Sequence, residues 1–505
     1  MRATRSIRLG ACCALLLLAP ELSAGEIDDG ALRAEIESIR ERLAVPGAAV
    51  GVTVGRRTFL LGGFGVRRLG SPEPVTARTR FPVASVTKAF TGLTVARLVD
   101  EGRLAWDDRL VDRIDVPSLA RSSLLAAATL SDALAHRSGV APGGLLGLHS
   151  GWSRRELVAR LALLPEDPSA RGRFGYNNLM YAAVGLAIED ETGESWEDAA
   201  QRLVIDALGM RDSATHHGLL GEGVPRVSAH VTGRDGWRPI GNGAEFAAIR
   251  PASTVVSSAR DLTLLTRALV GEEEPEWTRA LEATASARTL IPAEAFGWLA
   301  PAFPDCHTFA YGRGWFLAER AGRRVVFHPG GGGGVSSLLL LIPAERIGIS
   351  VLTNDDDYAS NLAIANTIVD RLLTLEPRDW VSELEELRTD HAAEARARDE
   401  LLETRPSPAL PPLPLETYVG RYGHPVYGAV EIVRGEGGLR LQRGALGGAL
   451  EEWDRDSFLV TYPSTSYVYD IVTFTIGSDR VPLSLTFFDQ PGFDRASREG
   501  HGHAH

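Results

Sequence analysis

A proline-dense stretch divides this chain. Residues 405–414 read Arg405-Pro406-Ser407-Pro408-Ala409-Leu410-Pro411-Pro412-Leu413-Pro414. Proline lacks a backbone N–H and has a fixed φ, so neither a helix interior nor a central strand can run through it. The stretch reads as a stiff linker between two differently patterned parts. Length points the same way. At 505 residues the chain is too long for one compact core, and two or three domains are expected.

Past the prolines come short alternating runs at 429–433, 439–442, 458–462, 468–474 and 483–488. Their spacing predicts a small all-β barrel or sandwich over 416–498, with a disordered tail at 499–505. Before the prolines, Leu32, Ile36, Ile39 and Leu43 recur at helical spacing. Strand-like runs at 47–54 and 58–66 flank a Gly55-Arg56-Arg57 turn. A helix-rich stretch follows from 85 to about 270, strands return at 311–327 and 335–352, and 361–375 is helical again. Strands at both ends with helices between predict one α+β domain over 25–375, whose sheet joins its two ends. Residues 376–415 are expected to be a linker, helical over 383–402 and then proline-rich.

The first 24 residues read as a secretory signal: Arg2, Arg5 and Arg8, a short apolar run, then Leu22-Ser23-Ala24. An exported protein of the periplasm or extracellular space is expected, without stable membrane insertion after cleavage. A formal charge of −12 argues against a nucleic-acid partner, which calls for a basic stripe. Three cysteines exclude a disulfide scaffold. Asp355-Asp356-Asp357 lacks a metal-ligand pattern and reads as a solvated loop.

Among 53 basic residues there is a single lysine, Lys88. Wherever arginine can do lysine's work, this chain uses arginine. Deprotonation is what arginine cannot do, because its pKa exceeds ~12. Ser85 lies three residues before Lys88, so on a helix beginning near Ser85 the two side chains share a face. A serine hydroxyl is a weak nucleophile until a base takes its proton. A buried lysine with a lowered pKa can be that base.

The segment 81–110, with Ser85-Val86-Thr87-Lys88, Glu101-Gly102-Arg103-Leu104 and Asp107-Asp108, resembles the active-serine region of the serine β-lactamase and penicillin-binding protein superfamily. It is most similar to the class C β-lactamase-like hydrolases, which include D-aminopeptidases and carboxylesterases. His136-Arg137-Ser138-Gly139, Tyr176-Asn177-Asn178 and His328-Pro329-Gly330 follow in the family's order, and the likeness spans about 27–375. It implies a β-lactamase/transpeptidase-like domain, with an antiparallel sheet, flanking helices and an all-helical region. Tyr418-Val419-Gly420-Arg421-Tyr422 and Phe493-Asp494-Arg495 resemble the small lipocalin-like barrel appended to many such hydrolases.

Carried onto this chain, the resemblance implies Ser85 as nucleophile and Lys88 as its base. Tyr176 would pass the proton to the leaving group, its phenol pKa lowered by Lys88. Asn178 would bond Lys88 or the substrate amide. The amides of Gly331 and Ser85 would form the oxyanion hole, and His328 and Gly330 would belong to the substrate-binding motif. No metal or cofactor is implied. Pro329 cannot donate a ladder hydrogen bond, so its strand is expected at a sheet edge. A β-lactamase typically has a cation where His328 stands, and a mostly neutral histidine favours a peptide, amide or ester substrate instead. Two alternatives share these residues: a class C-type β-lactamase, and a penicillin-binding sensor or scaffold that acylates without turnover. The barrel offers a route to a homo-oligomer.

Overall fold

The computed structural model describes residues 28–496, apart from 144–145, 147–150, 220, 222, 234–235, 241–246, 272, 386–399, 445, 463–468 and 488–491. The signal segment, the tail and most of the helix expected at 383–402 lie outside the described residues.

An eight-stranded antiparallel sheet organises the larger domain. The hairpin Gly47–Val54 and Arg57–Gly65 forms one end. Ile347–Thr353 pairs with Gly47–Val54, so the sheet joins the two ends of the domain in sequence. Ser336–Ile342, Arg323–Gly331, Phe316–Arg320, Phe309–Tyr311 and Thr289–Ile291 complete the order.

Both faces of the sheet are buried, which explains the near-continuous apolar runs. Leu338, Leu340, Ile347, Ile349 and Val351 point to one face and pack with the helices Asp29–Arg42 and Tyr358–Leu372. Leu339, Leu341 and Leu352 point to the other and join the helical region's core. That second core holds the helices Thr87–Asp100, Asn178–Thr192 and Ala259–Val270. The terminal helix begins at Tyr358 rather than 361 because Asp357 caps it, accepting from the Ala359 amide at 2.8 Å.

The strand of Pro329 is not at a sheet edge, contrary to expectation. Arg323–Gly331 pairs on both sides, but Phe316–Arg320 covers it only as far as Phe327. From His328 to Gly331 the strand pairs with Ser336–Leu339 alone. Pro329 therefore falls just where one neighbour has ended, and its missing N–H breaks no ladder.

The C-terminal part is a closed eight-stranded barrel from Gly420–His424 to Phe493–Arg495. Alternate residues fill it, among them Leu439, Leu441, Val460, Phe458 and Phe474. The proline-rich stretch runs along this barrel. The Leu410 amide donates to Asp454 at 2.8 Å, Arg405 Nη2 to the Glu452 carbonyl at 2.6 Å, and the Leu413 amide to the Tyr418 hydroxyl at 2.9 Å. The barrel touches the larger domain through its Pro425–Gly428 turn. Arg160 donates to the Pro425 carbonyl at 2.8 Å and stacks 3.9 Å over the Trp152 ring.

Candidate active site

Ser85 sits in a tight turn, Ala84–Val86, that leads straight into the helix Thr87–Asp100. Its predecessor Ala84 has φ +45°, a left-handed conformation that a non-glycine residue adopts only under strain. The serine is thereby presented at a helix N-terminus, where free amides favour developing negative charge.

One turn on, Lys88 is fully buried. Its Nζ lies 3.2 Å from Ser85 Oγ and donates to the Ala252 carbonyl at 3.0 Å. Two aromatic rings close over it, Tyr176 at 4.7 Å and Tyr181 at 5.3 Å from Nζ to centroid. Burial alone pushes the ammonium well below the ordinary lysine range, because no acidic side chain among the described residues offsets the loss of water.

Tyr176 departs from one expectation. Its phenol hydrogen-bonds the Ser85 side chain, yet burial raises its pKa above the ordinary tyrosine value. The nearby Lys88 does not offset that burial. Tyr176 is thus held as a neutral phenol, able to give a proton and poorly suited to take one.

His136 organises this turn from beneath. Its ring lies 4.3 Å from that of Tyr176, and its Nδ1 accepts from the Asn177 amide at 3.0 Å. Asn177 is structural: it caps the helix Asn178–Thr192 and donates to the carbonyls of Val140 and Ala141. Asn178 is the residue left for chemistry. Its Oδ1 is buried and takes no hydrogen bond among the described residues, so it does not bond Lys88 here.

His328 is placed differently from a substrate-facing residue. It is fully buried, and both ring nitrogens are committed within the protein. Nδ1 lies 2.7 Å from the Pro329 carbonyl, which can only accept, so the proton is on Nδ1. Nε2 then accepts from the Tyr311 hydroxyl at 2.9 Å. Burial, reinforced by the nearby Lys88, lowers the histidine to about 3, so it carries no charge at neutral pH.

At Gly330 the sheet meets Ser85, and Gly331 follows it on the strand. A Cβ on Gly330 would stand 2.4 Å from the Val83 carbonyl oxygen and 3.0 Å from the Ser85 amide nitrogen. Only glycine allows that approach. Beyond them, Gly332, Gly333 and Gly334 all have positive φ, and Asp356 accepts from the Gly332 and Gly334 amides at 3.1 and 3.3 Å. The aspartates are not a solvated loop, contrary to expectation. Asp355 is fully buried against Ser336 and Ser360, Asp356 braces the glycine turn, and Asp357 caps a helix. Each satisfies backbone or hydroxyl donors that the fold would otherwise leave unpaired.

Lys88, Tyr176 and Gly330 meet at Ser85, Gly331 is next on the strand, and Asn178 opens the helix two residues after Tyr176, while His328 is buried two residues before Gly330. Sequence reasoning gave Tyr311 and Tyr358 no part, and His136 no more than a place in a motif. No local pattern marks the two tyrosines, since each reaches the site from a separate element.

A family model described as Beta-lactamase matches residues 32–373. The chain belongs to the Beta-lactamase family. A second model, a domain of unknown function (DUF3471), matches residues 404–500, which hold the barrel. Among curated relatives, the Unguisins hydrolase of Aspergillus violaceofuscus is 29% identical over 445 residues, 80% of this chain and 76% of that protein. Solved structures share the fold at 21% identity. The octameric penicillin-binding protein homologue from Pyrococcus abyssi superposes with a TM-score of 0.61, over 92% of this family member and 99% of that chain. A class C beta lactamase from Rhodobacter sphaeroides gives 0.56, over 68% and 99%.

Proposed function

We propose that this chain is an exported serine hydrolase that cleaves amide, peptide or ester bonds through an acyl-enzyme. The observation that carries the reading is Lys88: buried, held 3.2 Å from Ser85 Oγ, and with its ammonium disfavoured by the loss of water around it. A structural lysine in such a place would be matched by a carboxylate. A base has to be left without one.

In this reading the neutral Lys88 amine takes the Ser85 hydroxyl proton as Oγ bonds to the substrate carbonyl carbon. The carbonyl oxygen becomes an oxyanion facing the Ser85 and Gly331 amides, donors that each matter by ~3 kcal/mol in related geometries. Collapse breaks the bond to the leaving group. The leaving group takes its proton from the Tyr176 phenol, which is reprotonated from Lys88. Lys88, neutral again, then takes a proton from water as its oxygen bonds to the acyl carbon; the acyl–Oγ bond breaks and Lys88 returns the proton to Oγ, which restores Ser85. Asn178 Oδ1, which takes no hydrogen bond among the described residues, would accept from an N–H of the substrate.

The neutral His328 favours amides and esters over the carboxylate-bearing substrate of a β-lactamase. The related Unguisins hydrolase supports a hydrolase reading over a sensor that only acylates. Export by residues 1–24 and self-association through the barrel belong to the same proposal.

Intact-mass spectrometry with a fluorophosphonate probe and with a penicillin tests the reading, beside turnover of p-nitrophenyl acetate. The expected result is a Ser85-dependent adduct, ester turnover, and loss of both in Ser85→Ala and Lys88→Arg. A stable penicillin adduct without turnover would instead assign a sensor, and retained activity in Lys88→Arg would remove Lys88 as the base.

A further inference from the structure

An aromatic wall lies against Gly331, one residue past the contact of Gly330 with Ser85. Tyr358 opens the helix Tyr358–Leu372, fixed there by the Asp357 cap. A Cβ on Gly331 would stand 2.5 Å from both Cζ and the hydroxyl oxygen of Tyr358. The tip of this phenol therefore rests on the backbone that would hold the oxyanion, and a larger residue than glycine would displace it. Trp298, from the turn Gly297–Ala302, places its ring centroid 5.1 Å from that of Tyr358 at 45°. Both side chains are half-buried and keep exposed surface.

Which part of a substrate would meet this wall follows from Tyr176. The ionisation of Tyr176 is opposed by Tyr358, so the two phenols are close enough to interact electrostatically. Tyr176 is the group that would protonate the departing atom, and Tyr176, Tyr358 and Trp298 all pack against the same core cluster. Behind them His328 is neutral and turned inward, so it offers no charge for a carboxylate on the departing group. Selection at this wall falls to apolar area and ring geometry.

We propose that Tyr358 and Trp298 form an aromatic shelf for the leaving group, selecting substrates whose departing amine or alcohol carries an aromatic or broad apolar side chain. The inference rests on the Ser85 hydrolase reading.

The test compares kcat/KM on benzyl butyrate and methyl butyrate, which share an acyl group and release alcohols of similar acidity. The wild-type chain is expected to prefer the benzyl ester. That preference should fall about tenfold in Tyr358→Ala and in Trp298→Leu, the scale of one lost ring contact. Tyr358→Phe keeps the ring and should keep the preference. Trp298→Leu leaves the helix start untouched, so it carries the test if Tyr358→Ala does not fold. Fluorophosphonate labelling of Ser85 is measured on every sample. With Ser85 labelled, a wild-type ratio near one, failure to cleave either ester, or a ratio unchanged in both variants overturns the shelf and leaves the nucleophile standing. Absence of labelling in folded wild-type protein overturns the hydrolase and the shelf with it.

Discussion

Burying a lysine without a carboxylate partner disfavours its charged form, and that penalty is visible in both stability and rate. Unfolded, Lys88 holds its proton up to ~10.4. Folded, it releases the proton at lower pH. Between those limits the unfolded chain binds more protons, so this group makes stability rise with pH. Lys88→Met should abolish activity and remove that rise from the melting temperature measured across alkaline buffers. Activity should climb with pH through the lowered Lys88 pKa, because only the neutral amine is a base. An activity that falls over the same limb would place the base elsewhere. Tyr311 offers a second residue-scale test. Tyr311→Phe leaves His328 Nε2 buried without its donor, a loss of ~1–3 kcal/mol. Urea unfolding should report that loss. Ser85 and Lys88 were legible in the sequence because their chemistry needs a fixed three-residue spacing. Tyr311 was not, since seventeen residues and a strand-to-strand crossing separate it from His328.

The turn after the strand Ile347–Thr353 shows how elements share polar groups. Asp355 hydrogen-bonds the hydroxyls of Ser336 and Ser360, and it is fully buried. Burial first, and then the neighbouring Asp357, raise its carboxyl from 3.8 to about 8. The folded chain therefore holds this proton more tightly than the unfolded chain does. Stability from this group is full below pH 3.8, falls as pH rises, and is lost by about 8. Asp355→Asn should flatten that decline, with a melting temperature above wild type at pH near 8 (in differential scanning calorimetry). A variant that tracks wild type across the whole range would show that Asp355 is ionised in the folded chain. The sequence reading took these aspartates as solvated because three adjacent acids look like a surface run. Only the strand that returns beside Gly331 makes the position an interior one.

The two parts of the molecule meet over a small contact. Gly428 has φ +76°, and a Cβ there would stand 2.4 Å from Cζ2 of Trp152. Alanine is strained by the backbone and blocked by the ring. Gly428→Ala should loosen the barrel and speed cleavage after the exposed Glu403 by a glutamate-specific protease in limited proteolysis, while the barrel's own core keeps it folded. An unchanged digestion rate would mean that the Arg160 bonds hold the contact without Trp152.

The sequence alone determined the α+β domain, the all-β part after the prolines, and the serine–lysine pair. Periodicity and short spacings are local properties, and they survive without coordinates. It determined neither that the barrel closes, nor that the proline stretch lies along it, nor that the strand of Pro329 is internal. Those depend on which strand lies beside which. Tertiary structure also set the protonation states. Packing removes water from Lys88, Tyr176 and His328, which lowers the first and the last and raises the phenol. Desolvation is decided by neighbours far away in the chain, so no reading of residues in order can supply it.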